Sequence, residues 1–99
     1  MKEKVYSFLK TIPEGKVVTY GQIAEYLGNR KLARVVGNIL HGNPDPIGQP
    51  CYKVVNRKGE LAENFGDSGG IDTQKQRLEN DGIEVKDYRV DLEKYQWKF

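Results

Sequence analysis

The sequence contains little of the chemistry on which disulfide-bonded and zinc-dependent domains depend. It has one cysteine and one histidine, which excludes an internal disulfide framework and leaves a zinc site built on sulfur and imidazole short of ligands. No apolar run approaches the roughly 20 residues that span a bilayer, and the charged residues 1–6 contain no signal-peptide apolar stretch. We therefore expect a cytoplasmic protein without a metal, a cofactor or a membrane partner.

Charge is unevenly distributed along what we expect to be one globular domain, residues 1–99. The chain is 37% hydrophobic and 30% charged, which is typical of a soluble domain of this length. Its formal net charge is +2, but residues 1–58 carry a net charge of +6 and residues 59–99 a net charge of −4. A basic half facing an acidic half suggests one surface that attracts a polyanion. The alternative is two unrelated solvated surfaces.

Apolar spacing predicts a chain made mainly of helices. The first helix spans residues 2 to about 10 and ends before Pro13. Thr19 opens a second helix, because Thr19 and Gln22 have the spacing of a capping box, and Gly28 ends it.

A third helix runs from residue 31 to about residue 41, with Asn29 as its cap. Because only residues 28–30 separate it from the second helix, the two helices form a helix-turn-helix unit. One side of the third helix is an apolar stripe with the spacing of a core-facing surface: Leu32, Val35, Val36, Ile39 and Leu40.

The second half of the chain adds a short β element and one more helix. Three prolines stiffen residues 42–50, residues 51–55 are expected to form a short strand, and residues 56–59 a turn. A polar loop over residues 61–70 precedes a fourth helix from about residue 72 to residue 80. The tail, residues 83–99, carries so much apolar area that we expect it to pack on the body of the domain.

The outer face of the third helix is a candidate DNA-binding surface. Ala33 and Gly37 are small and four residues apart, which lets a helix approach a partner closely, and Arg34 between them can reach into a groove. The alternative is an ordinary solvated face. The other residues on this face are Arg30, Lys31, Asn38 and His41.

Cys51 is a candidate nucleophile. It follows Pro50 at the end of the stiffened loop, where a side chain can be aimed, and positive charge from Lys53 and the basic half would lower the pKa of the thiol from about 8.5. A lone cysteine is also commonly a small buried hydrophobe. Both interpretations stay open on the residues alone.

Several segments resemble, in order and spacing, the C-terminal domain of O6-alkylguanine-DNA alkyltransferases. They are VVTYGQIA at 17–24, ARVVG at 33–37, GNP at 42–44 and PCYKVV at 50–55, while RVDLEKYQW at 89–97 is more similar to the tail of the short alkyltransferase-like proteins. The resemblance implies a mainly α fold with a short β element, organised as a compact, winged-helix-like helix-turn-helix domain.

The resemblance also implies a function and roles for individual residues. Proteins of this family bind duplex DNA from the minor groove, flip O6-alkylguanine into a pocket and move the alkyl group irreversibly to a cysteine. Matching positions make Cys51 the acceptor, Tyr20 the proton donor to guanine and Asn43 the support of the active-site loop. Arg34 would fill the gap that the flipped base leaves. The implied DNA contacts are Thr19, Tyr20, Gly21, Gln22, Lys31, Ala33, Arg34, Gly37 and Asn38, and the implied base pocket is Leu40, Val54, Phe65 and Ser68.

The sequence departs from the family pattern beside the cysteine. Tyr52 stands where the family has a histidine that deprotonates the thiol, and a tyrosine with a pKa of about 10 is a poor general base at pH 7. Lys53 replaces an arginine, and Asp81 falls where a glutamate orients that histidine. The alignment of the glycine-rich loop, residues 62–70, stays open.

These departures leave two hypotheses of different kinds. In the first, a monomer repairs damaged DNA by single-turnover transfer to Cys51, more slowly than is normal for the family. In the second, a non-enzymatic sensor binds the lesion and hands it to other DNA-repair proteins. A helix-turn-helix module without preference for damaged DNA is a third alternative. In each case the protein would be found at the nucleoid when bound to DNA.

Overall fold

The computed structural model describes residues 1–62 and 70–99, and it confirms a mainly helical chain with a small sheet. The helices are α1 (Lys2–Leu9), α2 (Tyr20–Tyr26), α3 (Ala33–His41), α4 (Gly70–Asn80) and α5 (Leu92–Tyr95). Two short 3-10 helices cover Arg30–Leu32 and Cys51–Lys53, and the strands are β1 (Val18–Thr19) and β2 (Val54–Val55). The fourth helix therefore begins at Gly70, two residues before the predicted start.

The sheet joins distant parts of the chain. β1 and β2 pair in parallel, with Val18 opposite Val54 and Thr19 opposite Val55. The tail adds a bridge just before β1, because Val17 N–H donates to Tyr95 O at 2.9 Å and Trp97 N–H donates to Val17 O at 2.8 Å. The predicted packing of the tail on the body is confirmed.

Local capping signals fix the starts of the second and third helices. Gln22 N–H donates to Thr19 Oγ1 at 3.2 Å and Thr19 N–H donates to Gln22 Oε1 at 2.9 Å, so the predicted capping box is confirmed. Asn29 Oδ1 accepts from Lys31 N–H at 3.0 Å, as predicted for a cap. That cap, however, begins a 3-10 turn, and regular α3 starts only at Ala33.

Two apolar clusters form the core. The first joins α1, α2 and α3 to the turn that carries Cys51, and the second joins Val17 and Val55 to α4 and the tail. Tyr52 packs against both clusters. One member of the predicted α3 stripe was wrong: Val35 is 39% exposed, because α3 contacts the core with the narrower face that contains Val36, Ile39 and Leu40.

The predicted strand over residues 51–55 was also wrong in its first three residues. Cys51–Lys53 form a 3-10 turn, in which Pro50 O accepts from Lys53 N–H at 3.3 Å, and only Val54–Val55 pair with β1. Since β1 is two residues long, it offers no pairing partner to Cys51. The turn therefore places Cys51 outside the sheet, in the apolar cluster that it shares with α1, α2 and α3.

Candidate nucleic-acid interface and cysteine site

Most of the predicted DNA-binding residues lie on α2, on α3 and on the 3-10 turn between them. We call the set Tyr20, Lys31, Ala33, Arg34, Gly37 and Asn38 the α2–α3 face. Lys31, Arg34 and Asn38 are exposed, while Ala33 and Gly37 are half-buried. A Cβ placed on Gly37 would lie 4.0 Å from Tyr20 Cε1, so the Tyr20 ring lies directly against the small-residue face of α3. A Cβ on Gly21 would lie 4.0 Å from Arg30 Nε, which brings another cation to the start of α2.

Two of the predicted DNA contacts have structural tasks of their own. Thr19 is 7% exposed and its hydroxyl caps α2. The Gln22 amide accepts from Gln96 Nε2 at 2.9 Å and donates to Trp97 O at 2.7 Å. Thr19 thus caps α2 and the Gln22 amide holds the first turn of α2 against the tail, and a direct DNA contact through either side chain stays a prediction.

Cys51 is buried within the first core cluster. It is 8% exposed and shares that cluster with Leu40 and Val54, two residues of the predicted base pocket. Burial raises the pKa of the thiol, while a hydrogen bond from Asn43 and the charge of Arg77 lower it in part. The environment therefore keeps Cys51 predominantly a thiol at neutral pH.

The expected effect of Lys53 on the thiol was wrong. Lys53 is 7% exposed, and its ammonium donates to Ile12 O at 3.1 Å and Pro13 O at 3.3 Å. It also pairs with Asp81 Oδ2 at 3.7 Å. A buried ammonium must be hydrogen-bonded or paired with an opposite charge, and these oxygen atoms meet that requirement. The cation that lowers the pKa of Cys51 is instead Arg77 on α4.

Two tyrosine hydroxyls lie within electrostatic range of Cys51. Burial raises the pKa of Tyr20 and of Tyr6, and the charge of a Cys51 thiolate would raise both further. Tyr6 O–H donates to Ile39 O at 2.9 Å, which ties α1 to α3 beside the cysteine. The sequence pattern did not identify Tyr6, because apolar periodicity relates residues of one helix and the hydrogen-bond partner of Tyr6 is 33 residues away.

Asn43 links the two ends of the proline-stiffened loop by hydrogen bonds. Its Nδ2 donates to Gln49 O at 2.8 Å, and its Oδ1 accepts from Gln49 Nε2 at 2.8 Å and from Asp45 N–H at 3.0 Å. Cys51 N–H in turn donates to Gln49 O at 2.7 Å. The loop ends are therefore locked together immediately before the cysteine.

Tyr52 and Asp81 line one open groove beside this loop. The groove has a volume of about 310 Å³ and is lined by Pro46, Ile47, Tyr52, Arg77, Asn80 and Asp81. Burial first, and then the charges of Asp81 and Glu14, raise the pKa of Tyr52, so its hydroxyl is a proton donor and not a base. Asp81 also accepts from Gly15 N–H at 3.1 Å, which together with Lys53 gives its carboxylate two structural partners.

Gln74 is a residue of this site that the sequence pattern did not identify. It is fully buried, and its Nε2 donates to Tyr52 O at 3.1 Å and to Val54 O at 3.0 Å while its Oε1 accepts from Ala62 N–H at 2.8 Å. Helical spacing could have identified it, because Gln74 lies four residues before Leu78 and so shares the buried face of α4. A buried glutamine amide is expected to be hydrogen-bonded.

Some expectations fall outside the described part of the chain. Phe65 and Ser68, the remaining residues of the predicted base pocket, lie in residues 63–69. Within residues 1–62 and 70–99, no group of three or more His, Cys, Asp and Glu side chains could hold a metal ion. The helices found in those residues are all too short or too polar to cross a membrane.

Comparison with known proteins identifies the family. Residues 1–83 match the model of the 6-O-methylguanine DNA methyltransferase DNA-binding domain. The chain is 47% identical to a bifunctional methyltransferase/endonuclease of Picrophilus torridus over 94% of its own length, but it spans only 30% of that protein. It is 39% identical to alkyltransferase-like protein 1 of Schizosaccharomyces pombe, over 96% of the chain and 92% of that protein.

A solved structure of the S. pombe protein, in complex with damaged DNA containing O6-carboxymethylguanine, matches the fold with a TM-score of 0.89. The match has 36% identity and covers 99% of this chain and 94% of that chain. Relatives carry the names of both kinds of protein, methylated-DNA–protein-cysteine methyltransferase and alkyltransferase-like protein. The chain therefore belongs to the family of the 6-O-methylguanine DNA methyltransferase DNA-binding domain.

Proposed function

We propose that this protein repairs DNA by binding O6-alkylguanine in a duplex through the α2–α3 face, flipping the base and transferring its alkyl group to Cys51. The observation that carries the proposal is the position of Tyr20. Its ring lies against Gly37 on the exposed face, and its pKa responds to the charge of Cys51. One side chain thus separates the surface that meets DNA from the buried thiol.

Base flipping is required because the alkyl group on a stacked guanine is out of reach of a buried nucleophile. Arg34 is exposed on α3 between two small residues, so it can enter the stack and offset the cost of unstacking. Leu40 and Val54 pack with Cys51 and supply an apolar wall for the extruded base. A relative solved in complex with damaged DNA and a relative named DNA base-flipping protein support the proposal.

The transfer step exchanges one bond for another. Cys51 Sγ attacks the alkyl carbon, a carbon–sulfur bond forms, and the bond from that carbon to guanine O6 breaks with its electron pair on the guanine. The guanine takes a proton from the Tyr20 hydroxyl, and the thiol proton leaves through water and restores the phenol. The raised pKa of Tyr20 keeps this donor protonated before the reaction.

Transfer should be slow at neutral pH. Burial holds Cys51 as a thiol, and the single histidine of the chain, His41, lies exposed at the end of α3. Tyr52 cannot act as the general base in place of the family histidine, because its raised pKa keeps the hydroxyl protonated. Thiolate formation then depends on Asn43, Arg77 and the pH of the solution.

The raised pKa of Cys51 also supports a second candidate function, that of a non-enzymatic sensor. A protein whose thiol stays protonated can bind the lesion without removing it and act as a sensor that hands it to other repair proteins. The raised pKa of Cys51 and the tyrosine in place of the family histidine favour this alternative.

Mass spectrometry of the Cys51 peptide after incubation with an O6-methylguanine duplex separates the candidates. We expect methylation that accelerates from pH 7 to pH 9, and a Tyr52→His variant that reacts faster at pH 7 with a flatter pH dependence. Cys51→Ala is the matched control for non-specific methylation. Tight binding of the lesion duplex with no methyl on Cys51 at any pH would establish the sensor instead.

DNA binding itself is tested by titration at several salt concentrations. Affinity should fall as salt rises, because cations on the face displace counterions from phosphates. Arg34→Ala should weaken binding of the lesion duplex by roughly tenfold or more, whereas Lys86→Ala, an exposed cation of the acidic half, should have little effect. A salt-independent affinity, or equal binding by the two variants, would contradict the proposed face.

A further inference from the structure

The C-terminal tail passes beside the junction of β1 and α2 and is anchored on both sides of Gln96. Before Gln96, Tyr95 O accepts from Val17 N–H at 2.9 Å, and after it, Trp97 N–H donates to Val17 O at 2.8 Å. The Trp97 ring also packs on the first core cluster, with its centroid 5.9 Å from that of Phe8. The backbone that carries the half-buried Gln96 side chain is therefore fixed relative to the start of α2.

The Gln96 side chain belongs to a hydrogen-bond network centred on Gln22. Gln22 Oε1 accepts from two donors, Thr19 N–H at 2.9 Å and Gln96 Nε2 at 2.9 Å. Gln22 Nε2 donates to Trp97 O at 2.7 Å. An ordinary capping box needs only the bonds between the glutamine and the cap residue, so the two bonds with the tail are additional constraints on the Gln22 side chain.

These partners favour one orientation of the Gln22 amide. If the amide were turned over, its NH₂ group would face two donors, Thr19 N–H and Gln96 Nε2, and its oxygen would face the carbonyl oxygen of Trp97. A glutamine side chain has many accessible rotamers in the absence of such partners. Gln96 thus supplies the second donor that keeps Gln22 Oε1 directed at the cap of α2.

Tyr20 lies between the two residues of this capping box. Thr19 is extended, with a φ of −102° and a ψ of 161°, and Tyr20 is the first residue of α2. The direction in which the Tyr20 side chain leaves the backbone therefore depends on the junction at Thr19, which the Gln22 amide fixes. Because the Tyr20 ring lies against Gly37, a small rotation at this junction moves the ring across the α2–α3 face.

We propose that Gln96 is a positioning residue for base flipping, which acts through Gln22 to hold Tyr20 in place on the α2–α3 face. The proposal rests on the proposed function, in which Tyr20 separates the DNA surface from the thiol. Gln96 acts without touching the base or Cys51. Loss of its hydrogen bond therefore impairs flipping of the lesion more than binding of the duplex, because the exposed cations of the face lie outside this network, on the 3-10 turn and on α3.

The test uses a duplex with O6-methylguanine beside the fluorescent adenine analogue 2-aminopurine, whose emission rises when its neighbour leaves the stack. Emission is read at saturating protein, so that a change in affinity or in the folded fraction does not alter it. Gln96→Leu removes the donor and should lower the flipping equilibrium constant about fivefold, the effect of one lost hydrogen bond. Gln96→Glu should lower it further, because its carboxylate would face Gln22 Oε1 and both groups are acceptors.

Gln76→Leu and Gln76→Glu make the same changes at an exposed position on α4 and are the matched controls, which should flip the lesion normally. If the Gln96 variants flip it as well as the unmodified protein does, the positioning role is refuted while the proposed function stands. Weaker binding of damaged and undamaged duplexes with unchanged flipping also refutes it, since a purely structural role gives that result. If the unmodified protein binds the lesion duplex without a rise in emission, the proposed function fails and the positioning role fails with it.

Discussion

Replacing Gln74 with leucine removes the most deeply buried polar link in the cysteine site. The glutamine amide connects three parts of the chain: the turn that carries Cys51 through Tyr52 O, β2 through Val54 O, and Ala62 through its N–H. Leucine has similar bulk and keeps the contact with the core, but it offers none of these hydrogen bonds. The variant thus isolates the polar role of the side chain from its packing role.

The expected loss follows from the number of groups left without a partner. Each hydrogen bond contributes about 1 kcal/mol, and a buried donor without an acceptor costs about 1–3 kcal/mol. Three bonds are lost, and burial of the leucine side chain offsets part of this, so we expect a net destabilisation of about 3 kcal/mol. For a domain of this size that corresponds to a decrease in melting temperature of about 12–24 °C.

The assay is thermal and urea unfolding of the purified variants, followed by circular dichroism. Gln76→Leu is the matched control, because Gln76 lies on the same helix, is exposed and makes one side-chain hydrogen bond, to Asn80 at 3.1 Å. It should change the melting temperature by no more than about 4 °C, since surface substitutions stay within about 0.5 kcal/mol. A Gln74→Leu variant as stable as Gln76→Leu would refute the reasoning.

Three further predictions concern stability and use urea unfolding. Burial raises the folded pKa of Cys51, so the unfolded chain loses the thiol proton first and stability should fall as pH rises above about 8.5, a fall that Cys51→Ala removes; equal pH profiles would contradict it. Gly59→Ala should destabilise the fold at least twice as much as Gly28→Ala, because both glycines have positive φ but only a Cβ at Gly59 meets the Val90 carbonyl oxygen; equal effects would exclude the clash as the cause. Asp81→Asn should cost about 3 kcal/mol by leaving a buried lysine without its counter-ion, and a change below about 1 kcal/mol would show that the two backbone carbonyls suffice for that ammonium.

Short-range patterns determined the helical frame and much of the candidate face. Helix-capping signals act within about four residues, so they can be recognised in the sequence alone. Here they are the capping box at Thr19 and Gln22, the cap at Asn29 and the glycine beyond α2. The small residues beside Arg34 were likewise apparent from helical spacing. Docking of the tail followed from its apolar content, because so much apolar area is not left in water.

The environment of the thiol was decided only by tertiary structure. Whether Lys53 or Arg77 acts on Cys51 depends on which cation finds other partners, and the carbonyls and carboxylate that hold Lys53 come from residues 12, 13 and 81. Tyr6 and Gln74 acquire their roles through partners 33 and 20 residues away. The exposure of Val35 and the late start of β2 have the same origin. Periodicity indicates which face of an element is apolar, but the neighbouring elements determine how much of that face is covered and how long a strand can pair.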